Sequence, residues 1–548
     1  MSIYVNFSKK KLYACFVDFR KAFDLVWQDG LLYKLLKIGV GGNFYSVIKN
    51  MYKTSKIRVK TSQGLSKDIE TKNGVRQGDC ISPLLFNIFI NDLPHTFLNN
   101  ASAPPVLDKE TIPALLYADD LIILSETPEG LQNSLNALST YCEKWKLEVN
   151  LSKSNVMIMG KGAAPNTSFH YGRDEIKTTN SYKYLGTIIN RHGTFSQATK
   201  DLKQKGLKAL FSIWKTLSTG TAPPIDLATH LFDTLVKPII LYNCEVWGSE
   251  VPISVQNDIL NNTDNDVRYL KFINNSPFEQ LHLKFIKMTL GVKKHTSNIA
   301  ARAELGRFPL FIETQINIIK YWLRLVNLSE NRLVVDALNA NLVIQKTGQY
   351  SWTSMVKHIL ESVDLQHVWV SKKPTNPKQF LTTLRQKLQV KYENLFQKCM
   401  HDHTSAVHSN KLRTYKTFKT DHKKENYLNT IKDRNIRSSV SKFRLSSHNL
   451  MIEKGRHAKI DISLRICKKC SSNEIEDESH AMLICDKYSR ERTELFTELE
   501  KYLPNWSNYH IEQKFIELIN LKHIPINIGK FIHLIMSDPQ EVSVPDCN

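Results

Sequence analysis

The stretch Leu115-Leu116-Tyr117-Ala118-Asp119-Asp120-Leu121-Ile122-Ile123-Leu124 puts two adjacent carboxylates at the tip of two short apolar segments. The pattern predicts a β-hairpin with a tight turn, in which Asp tolerates a positive φ. Two acids held side by side repel and resist ionising together. A bound cation relieves that penalty, and hard oxygen ligands favour a divalent ion such as Mg²⁺. An ordinary solvated turn is the alternative, since an isolated Asp-Asp pair says little. A third acid, Asp18, ends the apolar run Leu12–Asp18. A carboxylate at the carboxyl end of a buried strand is rigidly held and open to solvent, which suits chemistry; the same position also suits a helix N-cap. Far downstream, Cys467, Cys470, His480 and Cys485 form a C-x2-C-x9-H-x4-C pattern. Three thiolates and an imidazole make a closed tetrahedral set for structural Zn²⁺, and the metal would supply folding energy to a small module with little core.

These residues need elements to hold them. After Asp18 the pattern predicts helices around Gly30 to Lys37 and Phe44 to Lys53, then a hairpin from Lys56 to Thr71. The polar loop Asn73 to Pro83 leads into an amphipathic helix, Leu84 to Phe97, with Ser82 placed to cap it and Pro83 in its first turn. Glu129 to Lys146 carries Leu131, Leu135, Leu138 and Tyr141 at helical spacing, and strands are predicted at Val156 to Met159 and Tyr182 to Ile189. Strand, helices, hairpin, helix, hairpin, helix, strand approaches a ferredoxin-like βαββαβ sheet layered on helices, an α+β fold. That topology sets the end of the first strand beside the central hairpin, so Asp18 and Asp119 are expected to face one metal site.

The chain of 548 residues has 74 Lys and Arg against 53 Asp and Glu, a net charge of +21. The excess is spread along the sequence and favours a polyanionic partner such as nucleic acid. No apolar run approaches the roughly 18 residues of a membrane span. Lys9, Lys10 and Lys11 interrupt any signal-peptide core, so an intracellular protein of nucleus or cytoplasm, not secreted, is expected. Of nine cysteines, Cys15, Cys80, Cys142, Cys244 and Cys399 are scattered, Cys547 lies in the tail, and the rest are the clustered three. Such usage argues against a disulfide framework.

Five ordered pieces carry a family resemblance: Phe16-Val17-Asp18-Phe19-Arg20-Lys21-Ala22-Phe23-Asp24, Gly74 to Asn87, Tyr117-Ala118-Asp119-Asp120, Asn150-Leu151-Ser152-Lys153-Ser154 and Tyr184-Leu185-Gly186. In that order and spacing the chain resembles the reverse transcriptase of LINE-type non-LTR retrotransposons. The resemblance implies a polymerase palm and an RNA-directed DNA polymerase working on an RNA template, a DNA primer and dNTPs. Asp18 and Asp119 would be the primary ligands of two Mg²⁺ ions, replaceable by Mn²⁺, with Asp120 supporting them. Phe19 would contribute a backbone carbonyl. Phe23 would be the bulky gate under the incoming sugar that selects deoxynucleotides, although a core aromatic is the alternative. Arg76, Gln77 and Gly78 resemble the loop that contacts nucleotide and template. Lys153 would protonate the departing pyrophosphate as a general acid, a role a solvated turn lysine imitates.

The expected domain order is a palm over 1–190, a helical thumb over 191–300, a helical connector over 301–440 that is basic toward its end, a zinc knuckle module over 441–500, and a helical tail over 501–548. In the thumb, Thr199 to Leu217 carries Leu202, Leu207, Leu210, Phe211 and Trp214 on one face with Lys200, Lys203, Lys205, Lys208 and Lys215 around it. Such a helix suits a duplex backbone, and equally an ordinary solvated lysine face. Between Lys411 and Arg444, basic residues interleave with Tyr415, Phe418, Tyr427 and Phe443, which suits phosphate contact with base stacking or an amphipathic helix pair. The family carries a similar terminal knuckle thought to hold template RNA. Ser446, Ser447, His448 and Asn449 also match it, without a chemical task, and His448 is expected to pack or cap.

Only residues 1–17 precede Asp18, whereas the family carries a fingers region there with basic residues that grip the triphosphate. Most of the fingers and any endonuclease are expected to be missing. Two readings therefore stand: a polymerase or its C-terminal piece, and a truncated, catalytically incompetent or repurposed derivative that holds RNA. Protein partners are not legible.

Overall fold

A computed structural model describes residues 1, 10–53, 55–98, 102–163, 165–217, 224–263, 265–330, 332–401 and 412–538. Cys547 lies outside them. The chain divides into two units, Met1–Ala198 with Arg324–Thr353, and Thr199–Leu323 with Ser354–Asn548. The fold is mixed helix and sheet in the first unit and helical in the second. No described helix is long and apolar enough to cross a membrane.

The first unit is built on an antiparallel sheet of four strands: β1 (Leu12–Asp18), β2 (Ala114–Tyr117), β3 (Asp120–Ser125) and β4 (Asn155–Met159), in the order β4-β1-β3-β2. Alternation along β1 gives each face its own apolar set. Tyr13, Cys15 and Val17 join Leu121, Ile123, Val156 and Ile158 in a core that also holds Leu85, Phe86 and Phe89 from helix α1 (Ser82–Ile90) and Leu131, Leu135 and Leu138 from helix α2 (Pro128–Trp145). Leu12, Ala14 and Phe16 face the other way with Ile122, Leu124, Met157 and Met159. That second face is covered by a hairpin, β5 (Ser181–Tyr184) and β6 (Thr187–Asn190), whose Tyr182 stacks on Phe16 at 4.3 Å.

Three local expectations need correction. A single strand was expected over Tyr182 to Ile189. The chain instead turns back at Leu185 (φ 45°) and Gly186 (φ 80°), a pair of left-handed residues that makes a two-residue hairpin turn. Among the described residues the sheet therefore has four strands, with a hairpin laid over it. Ser82 does not cap α1; it is the buried first residue of the helix, and no side chain caps that end. The expected helix also stops early, with Leu93–Phe97 as a separate 3-10 turn.

In the second unit, helix α3 (Ser196–Leu217) buries Leu202 and Leu210 but leaves Phe211 exposed beneath the Lys284 ammonium, 4.5 Å from the ring centroid. Phe211 therefore does not belong to the apolar face. Tyr415, Phe418, Tyr427 and Phe443 are all buried, so they are core aromatics and cannot stack bases. Of the two readings of this stretch, packed amphipathic helices fit the structure, and the basic neighbour Arg444 is itself buried, its Nε donating to Glu304 at 2.6 Å.

Candidate active site and a Cys3His cluster

The β1–β3 register pairs Asp18 directly with Asp120, and the β2–β3 register pairs Tyr117 with Asp120. Directly opposed antiparallel residues have Cα atoms roughly 4.5–5.5 Å apart. Asp119 lies in the two-residue turn between these paired positions. The positive φ of that turn falls on Ala118 (φ 52°), not on an Asp as the sequence suggested. Burial raises the Asp120 carboxyl above the ordinary carboxylate range, and the charges of Asp119 and Asp18 raise it further. Asp18 is held from both sides. Its amide donates to Ser154 Oγ at 3.1 Å, and its carbonyl accepts from the Asn150 amide at 2.7 Å.

Asp18 and Asp119 open onto a cavity of about 380 Å³ whose wall also includes Phe19, Arg20, Lys21, Ala22, Phe23, Gln77, Asn150 and Lys153. Asp120 is half-buried and is not part of that wall. Lys153 Nζ lies 3.9 Å from Asp18 Oδ2. The Phe19 ring is buried, leaving its main chain at the cavity. Phe23 stacks on the buried Phe86 at 4.6 Å, and with Gln77 it also borders a second cavity of about 330 Å³. Arg76 and Gly78 belong to that second cavity alone. Gln77 Nε2 donates to Asp24 Oδ1 at 2.9 Å, and Arg76 Nη2 donates to the Met51 carbonyl at 2.9 Å. Asp18 and Asp119 thus share one cavity wall, with Asp120 paired to Asp18 across the strand ladder.

Cys467, Cys470, His480 and Cys485 come together with their ligand atoms within 4.8 Å of one another. Cys467 Sγ is 3.9 Å from Cys485 Sγ, and Cys470 Sγ is 3.4 Å from His480 Nε2. His480 Nδ1 lies 3.1 Å from Glu474 Oε2, the kind of outer contact that fixes a ligating ring. Burial pushes the Cys467 thiol up to about 12. Burial also works against ionisation of Cys470, yet contacts with Ser472, Cys467 and His480 outweigh it and bring that thiol down to about 6. Next to the cluster, the buried His448 sets Nε2 2.9 Å from Glu478 Oε1, and Ser447 Oγ accepts from the Lys293 amide at 3.0 Å. Ser446, too, donates to Glu478 at 3.0 Å. This segment thus links Lys293 to Glu478, on the same helix as His480.

Residues 3–189 match the reverse transcriptase (RNA-dependent DNA polymerase) family. The chain thus carries a reverse transcriptase domain of the LINE, or non-LTR retrotransposon, type. It is similar to the RNA-directed DNA polymerase from mobile element jockey of Drosophila funebris, 28% identical over 257 residues that make up 44% of this chain and 27% of that protein. It is also similar to the Pol polyprotein of the type-1 retrotransposable element R2 of Nasonia vitripennis, 32% identical over 34% of this chain and 19% of the relative. The matched stretch is thus about a quarter of the length of the first of these relatives. Among solved structures, the telomerase of Candida tropicalis in complex with a fragment of telomeric RNA aligns over 62% of this chain and 50% of its own at 13% identity and a TM-score of 0.28.

Proposed function

We propose that the chain is an RNA-directed DNA polymerase whose four-stranded sheet is a polymerase palm and whose acids perform two-metal nucleotidyl transfer. The observation that carries this reading is the direct pairing of Asp18 with Asp120, with Asp119 in the adjoining turn and on the same cavity wall as Asp18. Asp18, Asp119 and Asp120 would hold the divalent ions. When bound, these ions supply charge neutralisation at the attacking and leaving oxygens.

The reaction joins the primer 3′-oxygen to the α-phosphorus of a dNTP, breaks the bond to the β-phosphate and releases pyrophosphate, with the hydroxyl proton passing to water. The protein's own residues position the partners. Phe23, braced against Phe86, closes the space a 2′-hydroxyl would need. Gln77, Arg76 and Gly78 form the loop beside nucleotide and template. Lys153 Nζ holds a proton for the departing pyrophosphate. The Cys467, Cys470, His480 and Cys485 set would hold structural Zn²⁺, and the helical region after the palm would serve as thumb. RNA as template is supported by the family and by the net charge of +21.

The test is extension of oligo(dT) on poly(rA) with dTTP and Mg²⁺ by the full chain and by Asp119→Ala. Loss of about a thousandfold in the variant is expected, because several kcal/mol of transition-state stabilisation would be removed. Equal extension by both chains overturns the metal assignment. RNA retention without extension by either favours the RNA-holding derivative.

A further inference from the structure

A separate cleft lies wholly within the second unit, between the loop that follows helix Pro277–Leu290 and the segment that runs from Leu445 into helix Met451–His457. Lys293, His295, Arg456 and His457 stand on its wall, together with the buried hydroxyls of Thr296 and Ser447. Glu453 is the one carboxylate among its lining residues, and it is already shared by two guanidinium groups. Its Oε2 accepts from Arg456 Nε and Nη2 at 3.0 and 2.6 Å, and Arg413 Nη1 lies 3.8 Å from its Oε1. Lys293 Nζ, by contrast, donates to neutral oxygens, the His448 carbonyl at 3.3 Å and Asn449 Oδ1 at 2.6 Å. The wall is therefore cationic.

Ser447 adds a second, independent feature. Its Oγ accepts from the Lys293 amide and from Thr296 Oγ1, both at 3.0 Å. Two acceptor positions are all a hydroxyl oxygen has, so the Ser447 proton is left to donate, and among the described residues no acceptor takes it. A buried donor without an acceptor is costly, and an anion in the cleft removes that cost. Ser297, also on the wall, caps helix Asn298–Leu305, so the positive end of that helix adds to the same field.

The titratable groups register this crowding of like charge. Burial holds the Lys293 ammonium below the ordinary lysine range, and Lys442 and Lys454 lower it further while Glu453 pulls it back. Burial likewise lowers His457, with Arg456, Lys293 and His295 adding to the effect against Glu453. Cations and a spare hydroxyl proton facing one cleft suit a tetrahedral oxyanion. None of the lining residues is Phe, Tyr or Trp, so the contact holds backbone charge and does not read bases. Lys442 and Lys454 beside the cleft extend the positive charge in the way a polyanionic strand requires. We propose that this cleft seats one backbone phosphate of a nucleic-acid strand, with the Ser447 hydroxyl, the Lys293 ammonium and the Arg456 guanidinium as its donors. The seat belongs to the helical unit alone and does not depend on the polymerase reading.

The test uses the full chain as wild type, Lys293→Gln, Lys293→Arg and Ser447→Ala, with urea unfolding of each as the control for folding. Affinity for labelled oligo(U) RNA is measured by fluorescence anisotropy across a chloride titration. Lys293→Gln is expected to bind about tenfold more weakly and to lower the slope of log affinity against log salt by about 0.7, the loss of one phosphate contact on a single strand. Lys293→Arg keeps the wild-type slope. Ser447→Ala weakens binding without changing the slope, since it removes a donor and no charge. Wild-type affinity and slope in a folded Lys293→Gln overturn the proposal. Should Lys293→Gln fail to fold, unchanged RNA affinity in Ser447→Ala overturns it instead. Phosphorus-31 line broadening of inorganic phosphate is measured on wild type and Ser447→Ala as the second arm. Broadening that needs Ser447, with RNA affinity unchanged in that variant, assigns the cleft to free phosphate and overturns the strand as its source.

Discussion

Asp18 and Asp120 are opposed partners in the β1–β3 ladder, so two carboxylates of like sign share one rung at the open end of the sheet. Like charges directly opposite one another destabilise a strand pair by roughly 0.2–1 kcal/mol, and the Asp120 carboxyl is raised first by burial and then by the charges of Asp119 and Asp18. In metal-free buffer Asp120→Asn is expected to stabilise the protein by up to about 1 kcal/mol in urea unfolding. Added Mg²⁺ raises the Tm of wild type by ordinary linkage, and Asp18→Asn or Asp120→Asn loses most of that rise. An equal Mg²⁺ effect in all three would show that the ion binds elsewhere.

Phe23 is positioned by its stacking on Phe86 at 4.6 Å, and Phe86 is completely buried in the core on α1. The proposed gate therefore rests on a rigid support. Phe23→Val keeps an apolar side chain and opens the space beneath the sugar. The ratio of dNTP to rNTP kcat/KM is expected to fall by about 10- to 100-fold, the range a pocket contact of this size provides. An unchanged ratio would return Phe23 to the role of a core aromatic.

The sheet and its acids were legible because they follow local rules. Leu12–Asp18 forms one strand over the bounds its apolar run suggested, and the Leu115–Leu124 segment forms the expected hairpin. The Cys and His spacing likewise carries its own geometry. What escaped the sequence depends on long-range partners. Tyr415 and Tyr427 look like exposed aromatics among basic residues until Glu304, far away in the chain, accepts from both hydroxyls. The Leu185-Gly186 turn, in contrast, has a local signal, since Gly within an apolar run marks a break.

The Cys467, Cys470, His480 and Cys485 set belongs to a region with short elements, such as the 3-10 turn Ile462–Leu464 and the helix Glu478–Leu483. A metal ion bound by this set would add folding stability to such a module. Inductively coupled plasma mass spectrometry is expected to give about one zinc per chain and to find it lost in Cys467→Ser, Cys470→Ser. The same variant, or wild type with chelator, is cleaved first within residues 461–488 by trypsin. Unchanged zinc content in the variant would remove the assignment.

His282 is completely buried, stacked against Phe232 at 5.5 Å, with Nδ1 3.3 Å from Glu279 Oε2. Burial holds its ring down to about 4; Glu279 pulls the other way, and Arg307 and Arg302 add to the lowering. His422, enclosed by Phe308, Tyr392 and Phe396, is lowered to about 4 by burial and by Lys419 and Arg302. Both rings are therefore neutral in the native state while the unfolded chain takes up protons below about 6.5. Stability is present in full above that value and falls as pH drops toward 4. Replacing His282 by Asn or His422 by Phe is expected to flatten the Tm-versus-pH curve in that window, and a slope identical to wild type in both variants would assign the acid loss to other groups.

Glu304 and Arg444 form a completely buried ion pair, with Arg444 Nε donating to Glu304 Oε1 at 2.6 Å and Nη2 3.0 Å from Glu425 Oε2. Glu304 also accepts from the hydroxyls of Tyr415 and Tyr427 at 3.0 and 2.8 Å. Removing the guanidinium strands a buried carboxylate, so Arg444→Met should cost about 3–5 kcal/mol, whereas neutralising both partners restores much of the loss because the desolvation penalty goes with the charges. Glu304→Gln with Arg444→Met is therefore expected to unfold at higher urea than Arg444→Met alone. RNA affinity, by contrast, is expected to stay at the wild-type level in this double variant, because neither side chain reaches solvent. A large loss of RNA affinity with an intact urea transition would instead place this buried cluster on a nucleic-acid path.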